Sequence, residues 1–319
     1  VKKKIIAGLL GLSLSVGAVL QPAFASSRAS THSKTKYPIV LVHGFLGWDT
    51  IAGLNYWYQI PEGLKSDGAT MVYEVELSQS NSDVVRGEQL LAQVQQILAT
   101  TGAKKVNLIG HSQGGLDARY VAAVQPELVA SVTTVATPHL GSPVADAIAG
   151  AGTQSQATLA QIVSGLSQLI AWGSGGTQNP EDVYAALAAL TSVGTASFNK
   201  QYPAGVPTSC RGNGALSVNG IKFYSWGGVG VNTTALDPTD ALFALTALAF
   251  TDANNNGNAS DNDGMVGRCS NHFGKIIKDN YHYNHLDDVN QFFGLVDSKE
   301  TSPVTLFENQ ANRLKNAGL

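Results

Sequence analysis

The stretch Lys104-Lys-Val-Asn-Leu-Ile-Gly-His-Ser-Gln-Gly-Gly-Leu-Asp-Ala-Arg-Tyr-Val-Ala-Ala-Val124 decides the fold. Lys104 to Ile109 is a short apolar run that reads as a buried strand, Gly110 to Gly115 reads as a glycine-rich turn, and Leu116 to Val124 has the apolar spacing of a helix. Gly110-His-Ser-Gln-Gly114 matches G-x-S-x-G in the setting which gives that pattern meaning: strand, sharp turn, helix. The glycines let the chain turn sharply enough to lift the Ser112 hydroxyl clear of the backbone, and the helix N-terminus behind it favours developing negative charge. Ser112 is the candidate nucleophile. An ordinary glycine turn, the alternative, leaves the flanking strand and helix unexplained.

Outward from this core the same alternation continues. Val129 to Ala136 is a further apolar strand. Val84 to Thr100 places Leu90, Leu91, Val94, Ile97 and Leu98 at helical spacing with Arg86, Glu88 and Gln95 between them, and Asp83 stands where an N-cap is expected. Lys36 to Gly44 is another short buried strand that stops at glycine. Strands alternating with helices predict an α/β architecture, a mostly parallel sheet with helices on both faces.

The N-terminus is set apart. Lys2 to Lys4 precede an apolar run, Ile5 to Leu20, and then small residues, the pattern of a secretory signal peptide with cleavage after Ala25 or after Ala29. The run is shorter than the ~20 apolar residues that span a bilayer, which argues against an anchor. Residues 30–319 are then expected to form a single soluble, monomeric domain. Charged residues make up 13% of the chain and the formal net charge is -3, so the basic field that nucleic-acid binding requires is absent. The two cysteines, Cys210 and Cys269, are expected to pair after export into an oxidising compartment.

Residues 143–199 differ from the rest. Asp146, Glu181 and Asp182 are their only charged residues, and Leu159, Ile162, Val163, Leu166, Leu169 and Ile170 form one stripe of a helix. Such a stripe reads either as a helix packed on the core or as a lid with an apolar underside.

Acyl transfer at Ser112 needs backbone donors aimed at the oxyanion. Gln113 N–H is one, and Phe45 N–H, just after the His43-Gly44 end of the first strand, is the expected second. His43 itself reads as a structural histidine that orders its loop. In this arrangement the acid and then the base follow the serine along the chain. His272, His282 and His285 are all candidate bases, and Asp237, Asp240, Asp252, Asp261, Asp263 and Asp279 candidate acids; spacing does not choose among them. Asp252-Ala-Asn-Asn-Asn-Gly257, with Asp263 at the twelfth position, resembles an EF-hand loop but ends in Asp where a bidentate Glu is usual, and no helix follows. It reads as a polar surface loop and at most a weak cation site.

The segments Tyr37-Pro-Ile-Val-Leu-Val-His-Gly44, Val106 to Gly115, Asn262-Asp-Gly-Met-Val-Gly267, Asp279-Asn-Tyr-His-Tyr-Asn-His-Leu-Asp-Asp-Val-Asn-Gln291 and Ala311-Asn-Arg-Leu-Lys-Asn316 resemble, in order, those of the secreted Pseudomonas-type true lipases. The resemblance implies the α/β-hydrolase fold, triacylglycerol hydrolysis at a lipid–water interface, Asp263 as the acid and His285 as the base. It also implies a structural Ca²⁺ held by Asp237, Asp287, Gln291 and the backbone carbonyl of Leu295, the pairing of Cys210 with Cys269, a lid within residues 143–199, and a membrane-anchored foldase during export. The Asn-rich loop before Asp263 departs from the family by its length. A phospholipase or broad carboxylesterase would share the same triad, whereas a non-catalytic lipid-binding protein would have no use for an elbow serine.

Overall fold

The computed structural model describes residues 30–47, 50–51, 54–150, 152, 154–173, 179–210 and 212–319. The signal-peptide reading falls on residues outside these. In chain order the elements are β1 (Ile39–Val42), β2 (Thr50–Ile51), β3 (Leu54–Asn55), α1 (Ile60–Ser66), β4 (Val72–Val75), α2 (Asp83–Thr101), β5 (Val106–His111), α3 (Gln113–Val124) and β6 (Val129–Val135). Then follow α4 (Pro143–Ile148), α5 (Gln156–Gly173), α6 (Val183–Leu190), α7 (Ser192–Gln201), β7 (Ser217–Val218), β8 (Ile221–Gly228), α8 (Pro238–Thr246), β9 (Lys275–Tyr281) and α9 (Pro303–Asn316).

The main sheet runs β4-β1-β5-β6-β8, with the short β7 and then β9 paired along the far side of β8. Every pairing in it is parallel except β7 with β8. Side chains alternate across a strand, and here both faces are covered, so the central strands are buried throughout. Val40 and Val42 of β1 pack with Leu90 and Val94 of α2 and Leu116 and Val121 of α3. Ile39 and Leu41 face the other way, onto Ile60 and Leu64 of α1 and Phe307 and Ala311 of α9. Each such side chain, fully buried, stabilises the fold by about 1.5–3 kcal/mol relative to exposure.

The turn at the centre is tighter than the sequence suggests. β5 runs to His111 and α3 starts at Gln113, so Ser112 alone makes the turn. Two further expectations change. Ser82, not Asp83, caps α2, its side chain accepting from Val85 N–H, and Asp83 is instead buried. Arg86, read as part of a polar face, is fully buried because its guanidinium is bound from three directions. It donates to Asp117 Oδ2 at 2.9 Å, to the His43 carbonyl at 2.7 Å and to the Ser78 carbonyl.

Residues 143–199 form α4 to α7, and their three acids all lie at anchor points. Asp146 accepts from Ser192 N–H and Oγ, Glu181 accepts from Gln79 and Ser80 N–H, and Asp182 caps α6. Leu190 of α6 and Phe198 of α7 are part of the main core. On α5, Ile162 and Leu166 are buried, Leu159 is half-buried and Val163 is exposed; the side chains of Leu169 and Ile170 lie outside the described residues. No helix among the described residues is long and apolar enough to cross a membrane.

Candidate active site

Ser112 sits at the end of β5 with φ 54° and ψ -129°, in the positive-φ half of conformational space that L-residues rarely occupy. Its neighbours make room for this. A Cβ on Gly44 would come within 2.5 Å of Ser112 Cβ, and one on Gly114 within 2.2 Å of the Val42 carbonyl oxygen, so the end of β1 and the start of α3 touch backbone to backbone.

Of the three candidate bases, the fold brings one to this serine. His285 Nε2 lies 2.9 Å from Ser112 Oγ, and His285 Nδ1 lies 2.8 Å from Asp263 Oδ2. The other Asp263 oxygen accepts from Met265 and Val266 N–H at 2.8 and 2.6 Å, which fixes the carboxylate. The remaining candidates pair elsewhere: His272 with Asp279 at 2.8 Å, and His282 with Asp297 at 2.8 Å. Asp240 accepts from Thr233 and Thr234 N–H, and Asp261 lies beside Arg268.

The expected oxyanion donors flank the serine. Gln113 is the first residue of α3, where helix geometry supplies no acceptor for its N–H. Its side chain donates to the Asn81 carbonyl and to Asp83, which anchors the helix start. In the opposing loop the N–H groups of Gly44, Leu46 and Gly47 are all engaged, whereas the Phe45 N–H has no acceptor among the described residues. Phe45 lines the cavity over Ser112. His43 orders this loop, as its sequence context suggests. Its Nδ1 donates to the Gly44 carbonyl and its Nε2 accepts from Leu77 N–H; burial, and then the Arg86 charge, lowers its pKa to about 3.

The cavity over Ser112 measures about 70 Å³, and apart from Ser112, Ser142, Tyr56 and His285 its lining is apolar, including Leu166 of α5, Leu187 of α6 and Phe243 of α8. It is a narrow, oily slot.

Beyond His285, Asp237 and Asp287 come together around Asn284, whose Nδ2 lies 2.9 Å from Asp237 Oδ2 and whose N–H lies 3.0 Å from Asp287 Oδ2. Asp287 Oδ1 is buried with no hydrogen-bond partner among the described residues. Burial, reinforced by the charges of Asp237 and Asp240, raises the Asp287 pKa to about 8. An orphaned carboxylate oxygen beside a second buried acid is relieved by a hard cation, so these residues fit Ca²⁺. No three His, Cys, Asp or Glu side chains converge on a metal-sized site among the described residues, so neutral oxygens would have to complete the shell. Gln291, whose Nε2 donates to the Asn55 and Tyr56 carbonyls, and Leu295, whose N–H donates to the Phe292 carbonyl, follow in the same loop.

The EF-hand-like loop is no such cradle. Asp252 accepts from Ala259 N–H, Asn254 from Thr251 N–H, and Asp263 at its twelfth position is turned to His285. Next to this loop Cys210 and Cys269 form the expected disulfide.

Three residues that the sequence did not flag also belong to the site: Arg86, Tyr56 and His111. Arg86 holds the His43 carbonyl, while Tyr56 and His111 hydrogen-bond each other behind the serine. Only the position of His111 inside the G-x-S-x-G motif hinted at any of them.

A parallel sheet wrapped by helices, a serine on a one-residue elbow and a histidine–aspartate pair against it define a serine hydrolase of the α/β type. A family model described as alpha/beta hydrolase fold matches residues 37–289. A triacylglycerol lipase of Vibrio cholerae is 50% identical over 90% of this chain and 90% of its own. Those of Burkholderia plantarii and Pseudomonas fragi are 39% and 40% identical, covering 98% and 89% of this chain and 94% and 98% of theirs. The chain belongs to the α/β hydrolase family, in the group of bacterial triacylglycerol lipases. Among solved structures, a Bacillus licheniformis lipase, BlEst2, has a TM-score of 0.56 at 20% identity, covering 81% of this chain and 89% of that one. EstA from Clostridium botulinum has a TM-score of 0.58 at 17% identity, covering 89% and 88%, and both show the shared fold.

Proposed function

We propose that this chain is an exported triacylglycerol lipase that cleaves long-chain acylglycerols at a lipid–water interface through an acyl-enzyme on Ser112. The observation that carries the reading is the hydrogen-bonded series Ser112–His285–Asp263 at the floor of an apolar slot. His285 takes the Ser112 proton as Oγ attacks the ester carbonyl, Asp263 holds the imidazole tautomer and stabilises its cation, and the Phe45 and Gln113 N–H groups receive the oxyanion. His285 then returns the proton to the leaving alcohol. Water repeats the sequence on the acyl-enzyme and releases the fatty acid.

The slot's about 70 Å³ falls short of the ~300 Å³ at the lower end of ligand pockets. A long acyl chain therefore enters only after α5 moves, and a lipid surface that binds the α5 stripe once it is uncovered drives that movement. α5 itself carries no charged residue, and the acids of residues 143–199 anchor the segment on either side of it. The mobile unit is accordingly narrower than 143–199 and centres on α5.

Ca²⁺ bound by Asp237, Asp287, Gln291 and the Leu295 carbonyl would neutralise the buried acids and brace the loop that carries His285. The disulfide suits an oxidising compartment. Assistance by a membrane-anchored foldase in the periplasm rests on the family resemblance.

An organophosphonate ester is expected to label Ser112 one to one, and emulsified long-chain triacylglycerol to be turned over faster than a soluble short-chain ester. Ser112→Ala and His285→Ala should each lower kcat by about 10⁴-fold or more, whereas His272→Ala and His282→Ala keep most activity. Preference for phospholipid or for the short ester would redirect the substrate assignment. Activity of Ser112→Ala within tenfold of the parent would refute the serine mechanism.

A further inference from the structure

Gly44 directly precedes the proposed oxyanion donor Phe45, and an unbroken chain of hydrogen bonds joins it to His285. Gly44 N–H donates to Tyr56 Oη at 3.2 Å, Tyr56 Oη lies 2.5 Å from His111 Nδ1, and His111 Nε2 lies 2.9 Å from the His285 carbonyl oxygen. All four residues are buried.

The direction of each proton follows from the two ends. A carbonyl oxygen only accepts, so His111 carries its proton on Nε2. Burial, and then the charge of His285, holds the His111 pKa far below the ordinary histidine value, so the ring is neutral and Nδ1 is a bare lone pair. Tyr56 must then donate its hydroxyl proton to His111, and its oxygen accepts from Gly44. Reversal is impossible, because the amide cannot accept and the carbonyl cannot donate.

Buried polar groups are normally satisfied, and that alone would explain one or two such bonds. This chain does more, because its ends are the backbones of the two loops that must face each other across Ser112. The His285 peptide is gripped from both sides: its N–H donates to the Asp263 carbonyl at 2.9 Å, and its own carbonyl accepts from His111. His111 is also the residue before the nucleophile, and its ring lies against that of His285 with centroids 4.6 Å apart.

We propose that Tyr56 and His111 are positioning residues for ester hydrolysis, and that their hydrogen-bond chain holds the oxyanion loop and the base in register on either side of Ser112. The proposal rests on the serine-triad reading above. A shift of about 1 Å in such an arrangement costs on the order of 100-fold in rate, and so does loss of one oxyanion donor.

Tyr56→Phe keeps the ring and removes the hydroxyl. With a soluble short-chain ester, kcat is expected to fall about 10- to 100-fold while KM stays within twofold, and phosphonate labelling of Ser112 slows in parallel. His111→Gln keeps an N–H to offer the His285 carbonyl but cuts the link to Tyr56. The double variant should lose no more than the worse single variant, because one chain is being broken twice. A raised KM at unchanged kcat would make Tyr56 a substrate contact, and losses that simply multiply would make the two residues independent; either result overturns the proposal, as does a parent-like kcat in Tyr56→Phe. Should His111→Gln fail to fold, the kcat-against-KM split in Tyr56→Phe decides alone. If the parent protein does not take up phosphonate, the serine reading itself fails, which separates the two failures.

Discussion

Three histidines near the site are held neutral by partners that fix their tautomers. His43 keeps its proton on Nδ1, because Leu77 N–H occupies Nε2. His111 keeps it on Nε2. His139 accepts from Arg119 at Nδ1 and so keeps its proton on Nε2, facing Thr134 Oγ1 at 3.0 Å. Burial, then Arg119 and His272, holds His139 well below the ordinary value. For all three the folded pKa is depressed relative to the unfolded ~6.5, so their contribution to stability is complete above about pH 6.5 and is lost as the pH falls below it. Nitrogen NMR should show these rings neutral, each in the stated tautomer, from pH 8 to 5. A protonated ring at pH 6 in the folded protein would contradict the assignment.

At the level of elements, α5 is the helix whose role depends on its surroundings. Its inward side is Leu159, Ile162 and Leu166; Ile162 packs with Val144 and Phe250, while Leu166 reaches the cavity. Val163 is exposed on the same helix, and Val183 and Tyr184 are exposed one turn before Leu187 lines the slot. α5 and α6, which both line the slot, thus also carry exposed apolar side chains, the kind of surface that lipid docking uses. Leu166→Asp would place a carboxylate where the helix meets either the slot or lipid, at a cost of several kcal/mol in both. It should cut turnover of emulsified long-chain ester at least about tenfold more than turnover of a soluble short ester. Equal losses on the two substrates would make α5 a core helix and end the lid reading.

For the molecule as a whole, the region around Asp237 and Asp287 joins α8 to the loop that carries His285, so the cation proposed there would support stability and activity together. Binding only the native state at 100-fold excess over Kd stabilises by ~2.7 kcal/mol, which for a chain of this size amounts to roughly 5 °C in Tm. Chelation is expected to lower Tm by about that much and activity with it, and Asp237→Ala or Asp287→Ala to abolish the difference between chelated and Ca²⁺-loaded protein. Calorimetry giving one melting curve in both conditions would remove the ion from this account. The disulfide adds a second long-range tie. Closing a loop across 59 residues contributes about 4 kcal/mol in the chain-entropy model.

The alternation of strands and helices, the elbow at Ser112 and the pairing of the two cysteines were legible in the residues themselves. Hydrophobic period and glycine spacing are local properties, and two cysteines have a single way to pair within one chain. Choosing His285 over His272 and His282 was not legible from spacing, since all three lie near a carboxylate in the fold and only the packing of the Asn284 loop against β5 decides which meets Ser112. The family resemblance implies His285 by pattern, without a physical reason. Tyr56, His111 and Arg86 stayed hidden for the same cause. Tyr56 is 55 residues from the ring it hydrogen-bonds, and His111 is 174 from the carbonyl it holds. Arg86 looks like any exposed helical arginine until α2 is docked on α3. Local sequence sets which elements form, whereas contacts between residues this far apart exist only once the sheet has brought them together.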